Sequence, residues 1–130
     1  MSAPEVIDRL IRLWREDASL AYVWNTPEPR SFPDGLDAEV ISRSALEQAV
    51  AEADDPYDRE HVTPFVRARP ARFPQRALSL KPPVRTVKLS LDTEDDLATI
   101  RDFIGRVGPD ADLRRILAAM GSEDSHIVVT

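Results

Sequence analysis

A chain of 130 residues is long enough for one domain with a hydrophobic core and short for a two-domain enzyme. Its net charge of −6, with basic residues scattered between acidic ones, lacks the electrostatic footprint of a nucleic-acid binder. The absence of cysteine removes disulfides, thiolate nucleophiles and the usual structural zinc sites, and the opening MSAPEVIDRL breaks its apolar residues with acids, so it reads as neither signal peptide nor membrane span and a cytoplasmic protein is expected.

The first element is an amphipathic helix from Pro4 to Asp17. Val6, Ile7, Leu10, Ile11 and Trp14 recur at three- and four-residue spacing, Arg9, Arg12, Arg15 and Glu16 fill the other face, and proline takes its tolerated first position. Leu20 to Asn25, apolar and rich in aromatic and β-branched residues, predicts a buried strand, and the breaker-rich stretch from Thr26 to Gly35 predicts a long loop. Glu39 to Ile41 is a second short strand. Ser44-Ala-Leu-Glu47 reads as a capping box opening a helix, with Leu46, Ala49, Val50 and Ala53 on one face. Asp54-Asp-Pro56 ends that helix, and Arg59 to Arg69 forms another, interrupted by Pro64.

Further on, Ala77 to Leu80 reads as an edge-like strand because prolines crowd both flanks. Thr86 to Leu91 alternates strictly, with Val87, Leu89 and Leu91 on one side, and predicts a strand. A helix follows, with Thr93 and Asp96 at capping positions, Leu97, Ile100, Phe103, Ile104 and Val107 as its buried stripe, and Gly108-Pro109 as its stop. A last helix spans about Asp112 to Met120. Strands alternating with amphipathic helices argue for an α/β layered fold, organised as a single domain over residues 1–121 with a flexible tail over 122–130. No glycine-rich strand-to-helix turn of the kind that cradles phosphates occurs, and the pattern reads like part of a larger sheet or a small sheet covered on both faces.

Four segments carry a family resemblance. They are Ala3 to Ile11 leading into Ala21-Tyr-Val-Trp-Asn-Thr26; Arg30 to Val40, with Pro33-Asp-Gly-Leu-Asp37 inside it; Asp58-Arg-Glu-His-Val-Thr-Pro-Phe-Val-Arg67; and Leu91-Asp-Thr-Glu-Asp-Asp-Leu97. In this order and spacing the chain resembles the C-terminal half of sugar-activating cytidylyltransferases of the spore-coat-polysaccharide and acylneuraminate type. The resemblance implies a partial Rossmann-like nucleotidyltransferase fold, with a short, mostly parallel sheet flanked by helices. It implies a CTP-dependent reaction in which an oxygen of a sugar or sugar acid attacks the α-phosphate and pyrophosphate leaves. The family's triphosphate-wrapping loop and first metal-binding aspartate do not occur in this sequence. The resemblance therefore implies a separate N-terminal nucleotide-binding half as partner and Mg2+ only in an assembled site, while strands parted from the rest of such a sheet would expose apolar faces and unpaired edges, so a homo-oligomer is the other expectation.

Individual residues then take two readings each. Asp92 matches the family's second metal-binding carboxylate; as a residue at a strand-to-helix junction, it or Thr93 is equally a helix cap. Asp37 and Glu39, two apart at a strand start, project to one side and suit substrate hydroxyls, whereas Pro33-Asp-Gly35 also reads as a plain turn with Asp37 bonding nearby backbone. Arg59, Glu60 and His61 match a substrate-binding or dimer-contact segment, and a histidine near a helix start also serves as a structural hydrogen-bonding group. Two functions compete on this basis: the substrate-binding and dimerisation half of a cytidylyltransferase, inactive alone, and a non-catalytic binding or assembly module derived from that family.

Overall fold

The computed structural model describes residues 4–33, 35–84, 94–108, 112–120, 122 and 124–130. The expected strand from Thr86 to Leu91, and Asp92 and Thr93 after it, lie outside the described residues.

Helix α1 (Pro4–Glu16) forms where the apolar period predicts it, burying Val6 and Leu10. Strand β1 (Tyr22–Trp24) follows, and after the proline-rich loop comes β2 (Glu39–Ile41). Three helices then run in succession, α2 (Arg43–Glu52), α3 (Pro56–His61) and α4 (Thr63–Arg67), before β3 (Gln75–Lys81). Helices α5 (Glu94–Val107) and α6 (Leu113–Ala119) and strand β4 (His126–Val129) complete the described chain.

The strands form one sheet in the order β2-β1-β3-β4. β1 runs antiparallel to β2 and parallel to β3, and β4 runs antiparallel to β3. The expected helix-flanked α/β sheet is present, but among the described strands it is mixed rather than mostly parallel. Two short returns account for this: the proline loop folds β2 back along β1, and the chain after α6 folds β4 back along β3.

Side chains alternate across a strand, so consecutive residues of β1 serve opposite faces. Val23 joins Leu78 and Leu80 in a core closed by Val6 and Leu10 of α1 and Leu113, Ile116 and Leu117 of α6. Tyr22 joins the other core, closed by Ala45 and Ala49 of α2, Phe65 and Val66 of α4, and Phe73.

Several sequence expectations are corrected. The capping box at Ser44 does not form. Ser42 caps α2 instead, because its N–H continues the sheet pairing to the Ala21 carbonyl at 2.8 Å while its Oγ accepts from the Ala45 N–H at 3.1 Å. The buried stripe of α2 is Ala45, Ala49 and Ala53, small residues that let the helix lie close, while Leu46 and Val50 stay 39% and 64% exposed. The break near Pro64 falls at Val62, which ends α3 through its N–H to the Asp58 carbonyl at 2.7 Å and takes φ 64°. Pro64 lies in the first turn of α4, where a missing N–H costs nothing. Strand β3 is interior, not an edge: its prolines lie just outside it at Pro74 and Pro82, and its donors are filled on both sides. The described end of the tail, Ser125 to Thr130, is not loose. Leu78 to Lys81 pair with His126 to Val129, Ser125 Oγ donates to the Pro82 carbonyl at 2.7 Å, and Thr130 N–H donates to the Ala77 carbonyl at 2.8 Å.

The proline loop is held by two buried polar side chains. The Asn25 amide donates to the Leu36 carbonyl and accepts from the Ala38 N–H, both at 2.8 Å. Ser31 Oγ accepts from the Leu80 N–H at 2.8 Å, on the side of β3 where β1 has already ended, and its carbonyl accepts from the Val84 N–H at 2.7 Å. Asn25→Ala leaves a carbonyl and an N–H unpaired in the interior and is expected to cost about 2–4 kcal/mol in urea unfolding; a loss under about 1 kcal/mol would show that the loop holds itself without the clamp. Positive φ at a β-branched residue stores strain at Val62. Val62→Ala and Val62→Gly both lose the two methyl groups, but only glycine relieves the dihedral, so the glycine variant is expected to be the more stable of the two by about 1 kcal/mol.

Candidate functional site

The antiparallel register pairs Trp24 with Glu39, which places Glu39 on the sheet face that carries Tyr22 and Trp24. The Tyr22 ring is fully buried and its hydroxyl donates to the Glu39 carboxylate, which lies at the exposed margin of β2. Trp24 stacks on Tyr22 with ring centres 5.0 Å apart and planes 24° from parallel. From α4, Thr63 and the Arg67 guanidinium both lie close enough to the Tyr22 oxygen to favour its ionised form. Burial first, and then the bond to Glu39 and its charge, push the phenol above its ordinary value, with Arg67 and Thr63 acting in the opposite direction. β1, β2 and α4 thus meet at one phenolic oxygen.

Asp37 and Glu39 are engaged separately. Asp37 accepts from Arg30 at 2.6 Å in a pair whose side chains are 34% and 48% exposed, so water screens it and it contributes under about 1 kcal/mol to stability. Arg59, Glu60 and His61 lie exposed on α3, with the His61 ring against Tyr57 at 4.6 Å between centroids. The strained junction at Val62 joins this segment to Thr63, so the exposed Arg59-Glu-His61 run is tied through the chain to the Tyr22–Glu39 cluster. Asp92 lies outside the described residues. Among the described residues no group of three His, Asp or Glu side chains gathers at metal-binding distance.

Sequence reasoning missed Tyr22, Asn25 and Ser31 as organising residues. Asn25 carried a legible signal, since an amide closing an apolar strand must find partners once buried. Tyr22 carried none, because its partners Glu39 and Thr63 are distant in the chain.

No family model matches the chain. Over 66 residues it is 38% identical to an uncharacterized protein of Methanocaldococcus jannaschii (MJ1063), a stretch that covers 48% of this chain and 26% of that protein. In three dimensions it is similar to a cytidylyltransferase from Leptospira borgpetersenii serovar Hardjo-bovis (strain JB197), with a TM-score of 0.72 at 24% identity. The fold is cytidylyltransferase-like. The superposition covers 78% of this chain and 43% of the Leptospira protein, so the chain spans less than half the length of either protein it matches. The cytidylyltransferase-like fold accounts for the partial Rossmann-like layering of sheet and helices. Among the described residues no helix is long and apolar enough to cross a membrane.

Tyr22→Phe keeps the buried ring and removes the donor to Glu39, and is expected to cost about 1–2 kcal/mol at neutral pH. The raised folded value means that above about pH 10 an unfolded tyrosine ionises while Tyr22 keeps its proton. Its stabilising contribution is complete below that pH and lost as the pH climbs towards the folded value. Urea midpoints measured against pH should therefore fall less steeply for the phenylalanine variant in the alkaline limb than for the native protein; equal slopes would remove Tyr22 as the source.

Proposed function

We propose that this chain supplies the substrate side and the subunit contact of a CTP-dependent cytidylyltransferase that activates a sugar or sugar acid. The observation that carries the reading is the match in fold to the Leptospira cytidylyltransferase over 78% of the chain, alongside the four family-like segments. In this reaction a substrate oxygen forms a bond to the α-phosphorus of CTP, the bond to the bridging oxygen breaks, and pyrophosphate leaves with the electron pair. Chemistry of this kind needs positioning and charge neutralisation more than covalent help from the protein.

The proposal assigns Asp92 to one Mg2+ and places Asp37, Glu39, Arg59, Glu60 and His61 on the substrate side. The triphosphate-wrapping loop and the first metal-binding aspartate come from a nucleotide-binding half outside this sequence. Mg2+ would neutralise charge on the phosphates. The approach of β2 and α4 to the Tyr22 phenol supports treating the two substrate segments as one region, because Glu39 bonds that oxygen and Thr63 and Arg67 lie beside it.

A non-catalytic assembly module is the second reading, favoured by Leu46 and Val50 on the outward side of α2, an apolar surface that contact with another chain would cover. One experiment separates the two. The chain is mixed with a nucleotide-binding half of this family, CTP, magnesium and a panel of sugars and sugar acids, and pyrophosphate is measured. Release is expected only from the mixture, and Asp92→Asn is expected to reduce it by about a hundredfold or more. No release with any sugar, together with a self-associating chain that does not bind CTP, would leave the assembly reading.

A further inference from the structure

The outer side of β2 is an open hydrogen-bonding edge. The Asn25 N–H donates to the Ala38 carbonyl and the Ser42 N–H to the Ala21 carbonyl, so the ladder with β1 engages the backbone of alternate residues, Ala38, Val40 and Ser42. The N–H and C=O groups of Glu39 and Ile41 therefore turn outward, where the sheet has no further strand among the described residues. Neither proline nor lysine blunts this edge. An apolar strip lies over the same edge. Helix α2 rests on Tyr22 of β1 and Ile41 of β2 through Ala45 and Ala49. One flank of α2 faces α4 and β3: Arg72, just after α4, bonds to Gln48 at 2.7 Å and to Glu52 at 3.0 Å, and the Gln75 amide of β3 donates to the Val66 carbonyl of α4 at 3.2 Å. At about 100° per residue, Leu46 and Val50 point from the opposite flank, away from α4 and out past β2, and Val50 is 64% exposed.

We propose that two copies of this chain pair through this edge, β2 antiparallel to β2 about a two-fold axis at Val40, with the two α2 helices side by side above the joined sheet. The register is self-complementary. Glu39 of one copy stands opposite Ile41 of the other, and each such pair exchanges both of its open backbone groups. The helices fit the same axis: neighbouring strands lie about 4.8 Å apart and packed helices about 8–10 Å, so each α2 has to sit about 4–5 Å from the axis, between β2 and β1. Its contacts with Ile41 and Tyr22 put it there. Leu46 and Val50 of the two copies then cover one another. A strand of another protein could fill the edge, but a second copy supplies by symmetry both the matching register and the matching apolar strip. The two Glu39 carboxylates do not face each other, and each stays bonded to its own Tyr22. The pairing goes beyond the proposed function, since it follows from strand and helix geometry and needs neither CTP nor magnesium; a failed pyrophosphate assay leaves it standing, and a monomeric chain leaves the chemistry standing.

Sedimentation equilibrium and amide hydrogen exchange on the chain by itself test the pairing. The mass is expected to rise from one chain to two as the concentration climbs from micromolar to millimolar. Over the same range the Glu39 and Ile41 amides, open to water in the single chain, are expected to gain about tenfold or more in protection. The Val40 amide, bonded to β1 in either state, is expected to change far less. Val50→Lys alters an exposed residue, so it is expected to keep the native circular dichroism while weakening association about tenfold or more. The pairing is overturned by a mass of one chain throughout, by a dimer whose Glu39 and Ile41 amides stay unprotected, or by a folded Val50→Lys chain that associates as the native one does. Protection of those amides only when a nucleotide-binding half is added would give the edge to that half, and would overturn the pairing of copies as well.

Discussion

The two hydrogen bonds that the buried Asn25 amide makes to Leu36 and Ala38 determine where the second strand begins, and the rest of the candidate site follows from that. Closing a flexible loop of about a dozen residues costs roughly 2 kcal/mol in chain entropy. Two buried hydrogen bonds at about 1 kcal/mol each are of the size needed to offset it. With the loop ends fixed, Val23 meets Val40 and Trp24 meets Glu39. A slip of one residue would turn Glu39 into the aliphatic core and Val40 towards the phenol of Tyr22, so the amide sets the polarity of both faces as well as the loop. The same register delivers the Ser42 N–H to Ala21, and with it the start of α2.

Strand β1 is only three residues long, yet its alternation divides the molecule. Val23 closes an aliphatic core with α1 and α6, whereas Tyr22 closes one made of alanines and phenylalanines under α2 and α4. The hydroxyl of Tyr22 cannot be left dry in such a core, because a buried phenol without a partner forfeits its bond to water. Glu39 satisfies it, and Thr63 approaches the same oxygen, so β2 and the start of α4 come to one point. Polar requirements inside the core thus position surface segments that local sequence preference leaves undetermined.

This divides what the sequence shows from what it hides. Helix α1 was legible because Val6 and Leu10 report a stripe with helical period, and α6, expected over about Asp112 to Met120, forms as Leu113–Ala119. The start of α2 was misread because both Ser42 and Ser44 precede apolar residues, and only the sheet pairing of Ser42 chooses between them. Its buried face was misread for a related reason. Leu46 and Val50 are the larger apolar residues, but the space beside Tyr22 admits only the alanines. The tail looked loose because His126 to Val129 carry no turn or cap signal, and their order comes from β3, a partner about fifty residues away in the chain. Within the candidate site, the residue types at Asp37, Glu39 and His61 were legible, but their partners were not. A hydrogen bond between Tyr22 and Glu39 depends on strand register, which no local pattern states.

The engagement of Asp37 by Arg30 and of Glu39 by Tyr22 bears directly on whether those carboxylates can also hold a ligand. A carboxylate offers two oxygens and about four acceptor sites, so one donor leaves most of its capacity available. Glu39 lies at the exposed margin of β2 while its partner is anchored in the core, and Asp37 and Arg30 are both partly open to solvent. A carboxylate held by a rigid donor has already lost rotamer freedom that a ligand would otherwise have to remove on binding, a cost of about 0.5–1.5 kcal/mol for each immobilised side chain. On the proposed function, the Tyr22 bond would pre-orient Glu39 rather than occupy it. It fixes one oxygen of Glu39 and would leave the other for a ligand hydroxyl, a role that needs Tyr22 held rigidly, as it is between Trp24, α2 and α4.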